Sequence, residues 1–189
     1  MHRHRHRIFV DLLGWRALAR PDERDIDAFD DGRAHYIIVT DEGGAYRASA
    51  RLLPTDGPHM LSEAFADFVD GDLPRGPDIL EWTRHAPGDP DWPAAVNEAA
   101  RLALHIGILE FALQYGITAF TALLEAGLAR RARGYGWDCT PLGAPHTYAE
   151  GEAIAVLNPV RAAHLAALRL RAGLTAPILV DAAAAAIAA

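Results

Sequence analysis

A chain of 189 residues is long enough for one domain with a buried core and too short for two of ordinary size, and 51% apolar against 23% charged residues is a folding composition. The formal charge of −7 at pH 7 argues against nucleic acid as a partner, because binding a phosphate backbone takes clustered positive charge. No stretch is apolar enough to span a membrane, residues 2–7 lack the apolar core of a signal peptide, and the single cysteine, Cys139, leaves no internal disulfide; a cytoplasmic protein with no membrane partner is expected.

The alternating histidines and arginines of residues 2–7 read as a solvated or partly helical segment. No second cluster completes a metal site there, so no metal is expected. Strand patterns at 35–40 and 45–53 flank Asp41-Glu42-Gly43-Gly44 and predict a hairpin. A short helix is predicted over 60–69, then a Gly/Pro loop into a buried strand at Ile79-Leu80. Asp91, with Trp92-Pro93 behind it, is the expected N-cap of the longest helix, which closes near Gly116. Further along come a strand at 117–123, a helix at 125–133, strands at 137–142 and 152–157, and a helix started by Asn158-Pro159 and ended by Gly173. The fold class is α/β, a mixed sheet flanked by helices, in one domain over residues 1–180 followed by an alanine-rich tail at 181–189.

Three clusters stand out. The first is Arg5, Phe9 and Trp15 followed by Asp25-Ile26-Asp27-Ala28-Phe29-Asp30; the second is Arg51-Leu52-Leu53-Pro54-Thr55 with Met60-Leu61-Ser62-Glu63-Ala64-Phe65; the third is Glu81-Trp82-Thr83-Arg84. Singly, each has an ordinary reading: a solvated acidic loop, a surface arginine on an edge strand, a local ion pair between Glu81 and Arg84.

In order and spacing, these clusters resemble the acyl-homoserine-lactone synthases, the LuxI-type autoinducer synthase family: an early Arg, Phe and Trp, then Glu-x-Asp-x-Phe-Asp, Arg-Leu-Leu-Pro-Thr, Met-Leu-x-Glu-x-Phe and Glu-x-Ser/Thr-Arg. Asp25 stands where the family usually has Glu, and Glu23 is the alternative occupant. The resemblance implies a GNAT-like acyltransferase fold, with the N-terminal strand and part of the first helix missing from this chain. It implies S-adenosylmethionine as one substrate and an acyl thioester, on coenzyme A or acyl carrier protein, as the other, with no separate cofactor. The amine is acylated, the lactone closes and methylthioadenosine leaves, giving a quorum-sensing signal.

By that resemblance the catalytic set is Glu81, Arg84, Asp27, Asp30 and Arg51, and the S-adenosylmethionine contacts are Arg5, Phe9, Trp15 and Asp25. An α-amine is charged near neutrality, titrating around pH ~8, so a base is needed; Glu81 is the candidate, directly or through water. A substrate carboxylate suits Arg5 or Arg84, and a sulfonium suits carboxylates or the faces of Phe9 and Trp15. The alternative role for Asp27, Asp30, Arg51, Arg84 and Glu81 is a structural ion network. Helix and strand spacing suggests an acyl pocket from Leu104, Ile108, Ile117, Phe120, Leu123, Leu124 and Leu128, with ordinary core packing as the competing reading. The segment Glu125-Ala126-Gly127-Leu128 looks closer to members that use branched or aryl acyl-coenzyme A. Cys139 reads as a small buried hydrophobe, not a nucleophile. A general N-acyltransferase of the same fold and an inactive ligand-binding homologue are the other readings.

Overall fold

The computed structural model describes residues 1–148 and 151–180; the alanine-rich tail lies outside the described residues. Helix α1, His2–His6, runs without a break into a wider helical turn, Arg7–Leu12, whose C-terminal Leu13 N–H bonds back to Ile8 O at 3.0 Å. A short turn at Arg16–Leu18 and an extended loop then lead to the sheet.

Strands β1 (His35–Thr40), β2 (Tyr46–Pro54), β3 (Ile79–Pro87), β4 (Ala119–Glu125), β5 (Thr140–Pro141), β6 (His146–Tyr148) and β7 (Gly151–Pro159) make one sheet of order β1-β2-β3-β4-β7-β5, with β6 also on β7. Among the described residues only β3 and β4 are parallel neighbours, so the sheet is mixed, as the alternation of elements predicts. The β1–β2 hairpin turns where expected. The Asp41 carboxylate accepts the N–H groups of Gly43 and Ala45, and Gly44 takes the left-handed φ of +79° that the reversal needs.

Helices α2 (Met60–Glu63), α3 (Ala94–Gln114), α4 (Ala126–Gly134) and α5 (Ala162–Ala172) complete the fold. α3 packs on one face of β1, β2 and β3, with α5 against its other side, so Leu104, Ile106, Ile108 and Leu109 are all fully buried. Gly107 sits where the helix crosses β1; a Cβ there would lie 3.1 Å from Ile37 Cγ2. Burial of each Leu or Ile side chain contributes about 1.5–3 kcal/mol, so this helix anchors the core. A second, smaller cluster of Leu61, Phe68, Ala153 and Ala155 covers the opposite face. Side chains alternate accordingly: Ala155 and Leu123 join the small cluster, Val156 and Leu124 the large one.

Several element boundaries differ from the sequence reading: the strands expected at 79–80, 117–123 and 152–157 run Ile79–Pro87, Ala119–Glu125 and Gly151–Pro159, and four other differences have a visible cause. The 60–69 helix breaks after one turn, because the chain turns at Phe65 to bring Phe68 and Phe65 edge-on to Tyr148. α3 starts at Ala94 with Pro93 in the capping position, and Asp91 pairs instead with Arg7. The 137–142 strand shrinks to Thr140–Pro141, since Cys139 adopts φ +48° and gives its N–H to Asn158 Oδ1. Asn158-Pro159 therefore ends β7, and the helix begins after Arg161. The pocket candidates fall on both faces: Leu104, Ile108, Ile117 and Phe120 lie in the large cluster with Leu124 against it, Leu123 faces the small one, and Leu128 is half-buried on α4.

Candidate active site

The two carboxylate-bearing motifs, far apart in sequence, meet on the face of the sheet opposite α3. In β2, Ala48, Ala50 and Leu52 point to α3, leaving Ser49, Arg51 and Leu53 for the other face. In β3 the alternation is broken. Ser49 pairs with Ala86 and Arg51 with Thr83, so β3 carries one extra residue, and Arg84 sits in this bulge at φ +48°, a left-handed value rare for a side chain of its size. The bulge keeps Arg84 on the same face as Thr83 and Glu81 instead of sending it towards α3, where Trp82 and His85 contact His105.

Above that face lies the loop of residues 25–30. Arg5 donates from Nε to Asp25 Oδ2 at 2.8 Å and from both Nη atoms to Asp30 at 2.7 and 3.0 Å. Arg51 makes two parallel bonds to Asp27 at 2.6 and 3.0 Å and contacts Asp30 Oδ2 at 3.1 Å. Arg84 donates to both Asp25 oxygens, at 2.8 and 3.3 Å, and to Asp27 Oδ2 at 2.8 Å. Three arginines and three aspartates thus alternate in a closed, charge-balanced set. Burial of these charges costs several kcal/mol per ion, and multiple two-pronged bonds are what offset it.

Asp27 and Asp30 stay ionised. Burial works to raise the Asp30 carboxyl, but the bonds from Arg5, Tyr36 and the Asp27 N–H overcome it and hold it well below the usual range. Asp27 is likewise lowered, burial being outweighed by Arg51 and Arg84. Of the two occupants considered for the first acidic position, Asp25 is 1% exposed and shared by two arginines, whereas the Glu23 side chain is 75% exposed and lies 3.6 Å from a similarly exposed Arg3.

Glu81 stands apart from this set and does not pair with Arg84. Its carboxylate accepts the N–H groups of Met60 and Leu61 at 2.7 and 3.0 Å, the open start of α2. Burial pushes its pKa up to about 7, against those two bonds and the charge of Arg51. A carboxyl that exchanges a proton near neutrality is suited to general-base work.

Phe9 and Trp15 stack at 5.0 Å between centroids, and the Arg84 guanidinium lies 5.6 Å over the Phe9 ring. The sequence reading passed over Tyr36, whose hydroxyl donates to Asp30 at 2.6 Å, and Thr83, whose Oγ1 accepts from Arg51 Nε at 3.0 Å. Thr83 lies inside the Glu-x-Thr-Arg motif, and Tyr36 is a polar-tipped residue on the face of β1 away from α3; both signals were in the sequence. Cys139 is buried and its thiol is pushed up by burial, the opposite of an activated nucleophile.

Residues 1–168 match the family model described as autoinducer synthase. The chain belongs to the autoinducer synthase family. It is 33% identical over 94% of its length, and over 79% of the relative's, to an isovaleryl-homoserine lactone synthase of Bradyrhizobium diazoefficiens. Its fold matches that of BjaI, a CoA-dependent acyl-homoserine lactone synthase solved with MTA, at a TM-score of 0.85 and 32% identity, over 100% of this chain and 90% of that one. FeeM, an N-acyl amino acid synthase from uncultured soil microbes, shares the fold alone, at a TM-score of 0.54 and 16% identity over 83% of this chain and 89% of its own. Members of the autoinducer synthase family are acyltransferases, and the mixed sheet here has their GNAT-like form. Among the described residues, no helix is long and apolar enough to cross a membrane.

Proposed function

We propose that this chain acylates the amine of S-adenosylmethionine from an acyl thioester and then closes the homoserine lactone, with Glu81 as the base and the Arg5–Arg51–Arg84 set holding the substrate's charged end. The observation that carries the reading is the pairing of one carboxyl poised near pH 7 with a separate, closed aspartate–arginine network on the same sheet face.

The chemistry follows from the groups. Glu81 takes the ammonium proton, directly or through one water, and the freed nitrogen attacks the thioester carbonyl. The tetrahedral oxyanion collapses with loss of the thiolate, which takes up the proton first held by Glu81, and the second proton, shed by the nitrogen as the amide forms, passes through the freed Glu81 carboxylate to solvent. Lactone closure then needs no acid of unusual strength: the substrate carboxylate attacks its own carbon next to the sulfonium, expelling methylthioadenosine, and the task of the protein is to hold that folded conformer. Phe9 and Trp15, stacked beside Arg84, offer aromatic faces to the sulfonium, while an arginine meets the carboxylate.

Coenzyme A is the proposed carrier and a branched or aryl group the proposed acyl class, in line with the isovaleryl-homoserine lactone synthase and the CoA-dependent structure. The reading also implies a cytoplasmic enzyme, where both substrates are made. A donor panel tests it: isovaleryl-, cinnamoyl- and hexanoyl-CoA against the matching acyl-carrier-protein thioesters, scoring lactone by mass spectrometry. Fastest turnover with a branched or aryl CoA donor is expected; preference for a carrier-protein donor would overturn the carrier assignment.

A further inference from the structure

The parallel pairing of β3 and β4 covers only three rungs, Ile79 with Ala119, Leu80 with Phe120 and Glu81 with Thr121. β3 continues to Pro87 and β4 to Glu125 with no further bond between them, although each stays paired on its other edge. The strands therefore open into a wedge whose vertex is the Glu81–Thr121 rung. Residues on one rung of neighbouring strands face the same way. Phe120 and Ala122 join the cluster under α3, and Leu123 joins the cluster of Leu61 on the other side, which places Thr121 on the face that carries Glu81. Its side chain is fully buried, and among the described residues its Oγ1 has no hydrogen-bond partner.

A buried hydroxyl without a partner is a net cost to the fold, which native structures tolerate where the group has work to do. We propose that Thr121 is a catalytic residue of the acyl transfer, its hydroxyl donating a hydrogen bond to the thioester oxygen as that oxygen becomes an oxyanion. The proposal rests on the synthase reading above. When the amine nitrogen bonds to the thioester carbon, the carbon–oxygen π pair moves onto oxygen. The Thr121 O–H stabilises that charge without giving up its proton. The pair returns as the carbon–sulfur bond breaks, and the thiolate departs. With Glu81 across the same rung to take the amine proton, base and oxyanion donor flank the vertex where an acyl thioester enters the wedge.

Thr121→Val separates this role from packing, because it keeps the shape and removes only the hydroxyl. Wild type, T121V and T121S are assayed with S-adenosylmethionine and isovaleryl-CoA, or whichever acyl-CoA wild type turns over fastest, and their melting temperatures are compared. Losing an oxyanion donor costs roughly 100-fold in kcat. T121V is expected to show such a drop, with KM for both substrates unchanged and a melting temperature equal to or above wild type, since no bond in the fold is lost. T121S is expected to stay close to wild type. Full kcat in T121V, a loss confined to KM, or a lowered melting temperature would each overturn the proposal while the synthase reading stands. Wild-type protein that makes no product from any donor overturns both.

Discussion

Arg51 and Asp27 meet through two parallel hydrogen bonds, 2.6 and 3.0 Å, that join the buried middle of β2 to the loop ahead of the sheet. This pair is the tie between the N-terminal segment and the face on which the reaction is proposed to occur, and the Arg51 side chain is 0% exposed. The same contact thus serves both the fold and the site.

Arg51→Ala leaves Asp27 half-buried with one arginine fewer and Asp30 without its second arginine. Removing one member of a buried pair costs on the order of 3–5 kcal/mol. R51A is expected to lose that much in urea unfolding, with activity falling in parallel. A variant of unchanged stability would show that the network does not carry the tie.

Asp25 and Glu23 make opposite predictions. Glu23→Gln alters an exposed side chain 3.6 Å from Arg3 and should stay within about 0.5 kcal/mol of wild type. Asp25→Asn weakens bonds to both Arg5 and Arg84 and should cost several-fold more, with binding of S-adenosylmethionine weakened, as read by calorimetry. Equal effects of the two substitutions would contradict the assignment of Asp25.

The pH dependence should follow Glu81. With a pKa raised to about 7, the base is in its working form only above neutrality, so kcat/KM should rise through about pH 7. Stability runs the other way. A folded-state pKa above the ordinary 4.5 means that this group's contribution is fully present below 4.5 and lost as pH rises through about 7. Glu81→Gln should remove both the activity limb and that slope in melting temperature, and persistence of the activity limb in E81Q would assign the base elsewhere.

The aspartates act at the acid end. Asp27 and Asp30 have lowered pKa values in the fold, so their contribution is present above the ordinary 3.8 and is lost as pH falls below it. Asp30→Asn should flatten the acid limb of the stability profile, measured by melting temperature between pH 5 and pH 2; a limb as steep as wild type would show that Asp30 does not contribute to it.

Much of this arrangement was legible in the sequence because its parts are local. The Asp41-to-Gly44 turn states its own hairpin, and the motifs that carry the family resemblance name Arg5, Asp25, Asp27, Asp30, Arg51, Glu81 and Arg84, which the fold brings to one face of the sheet. What could not be read depends on contacts made across the chain. No glycine marks the bulge at Arg84, which exists because the aspartates opposite hold the guanidinium on that face. The start of α3 was misplaced for a similar reason. Asn97 in the first turns of the helix donates back to the carbonyls of Asp89 and Trp92, and Asp91 is drawn to Arg7, a partner far away in the chain, so it is not free to cap. Gly88, by contrast, is needed there: at φ +83°, a Cβ would fall 1.9 Å from Asn97 Oδ1. The acyl pocket stayed illegible because helical and strand spacing mark burial alone, and burial on both faces of the sheet looks the same in sequence.

One site is expected to carry out acyl transfer and lactone closure in succession. Purified protein supplied with S-adenosylmethionine and its best acyl-CoA should release methylthioadenosine and acyl-homoserine lactone in equal amounts, followed together by mass spectrometry. Release of free coenzyme A and an acylated amine without methylthioadenosine would contradict lactone closure and leave a simple N-acyltransferase in its place.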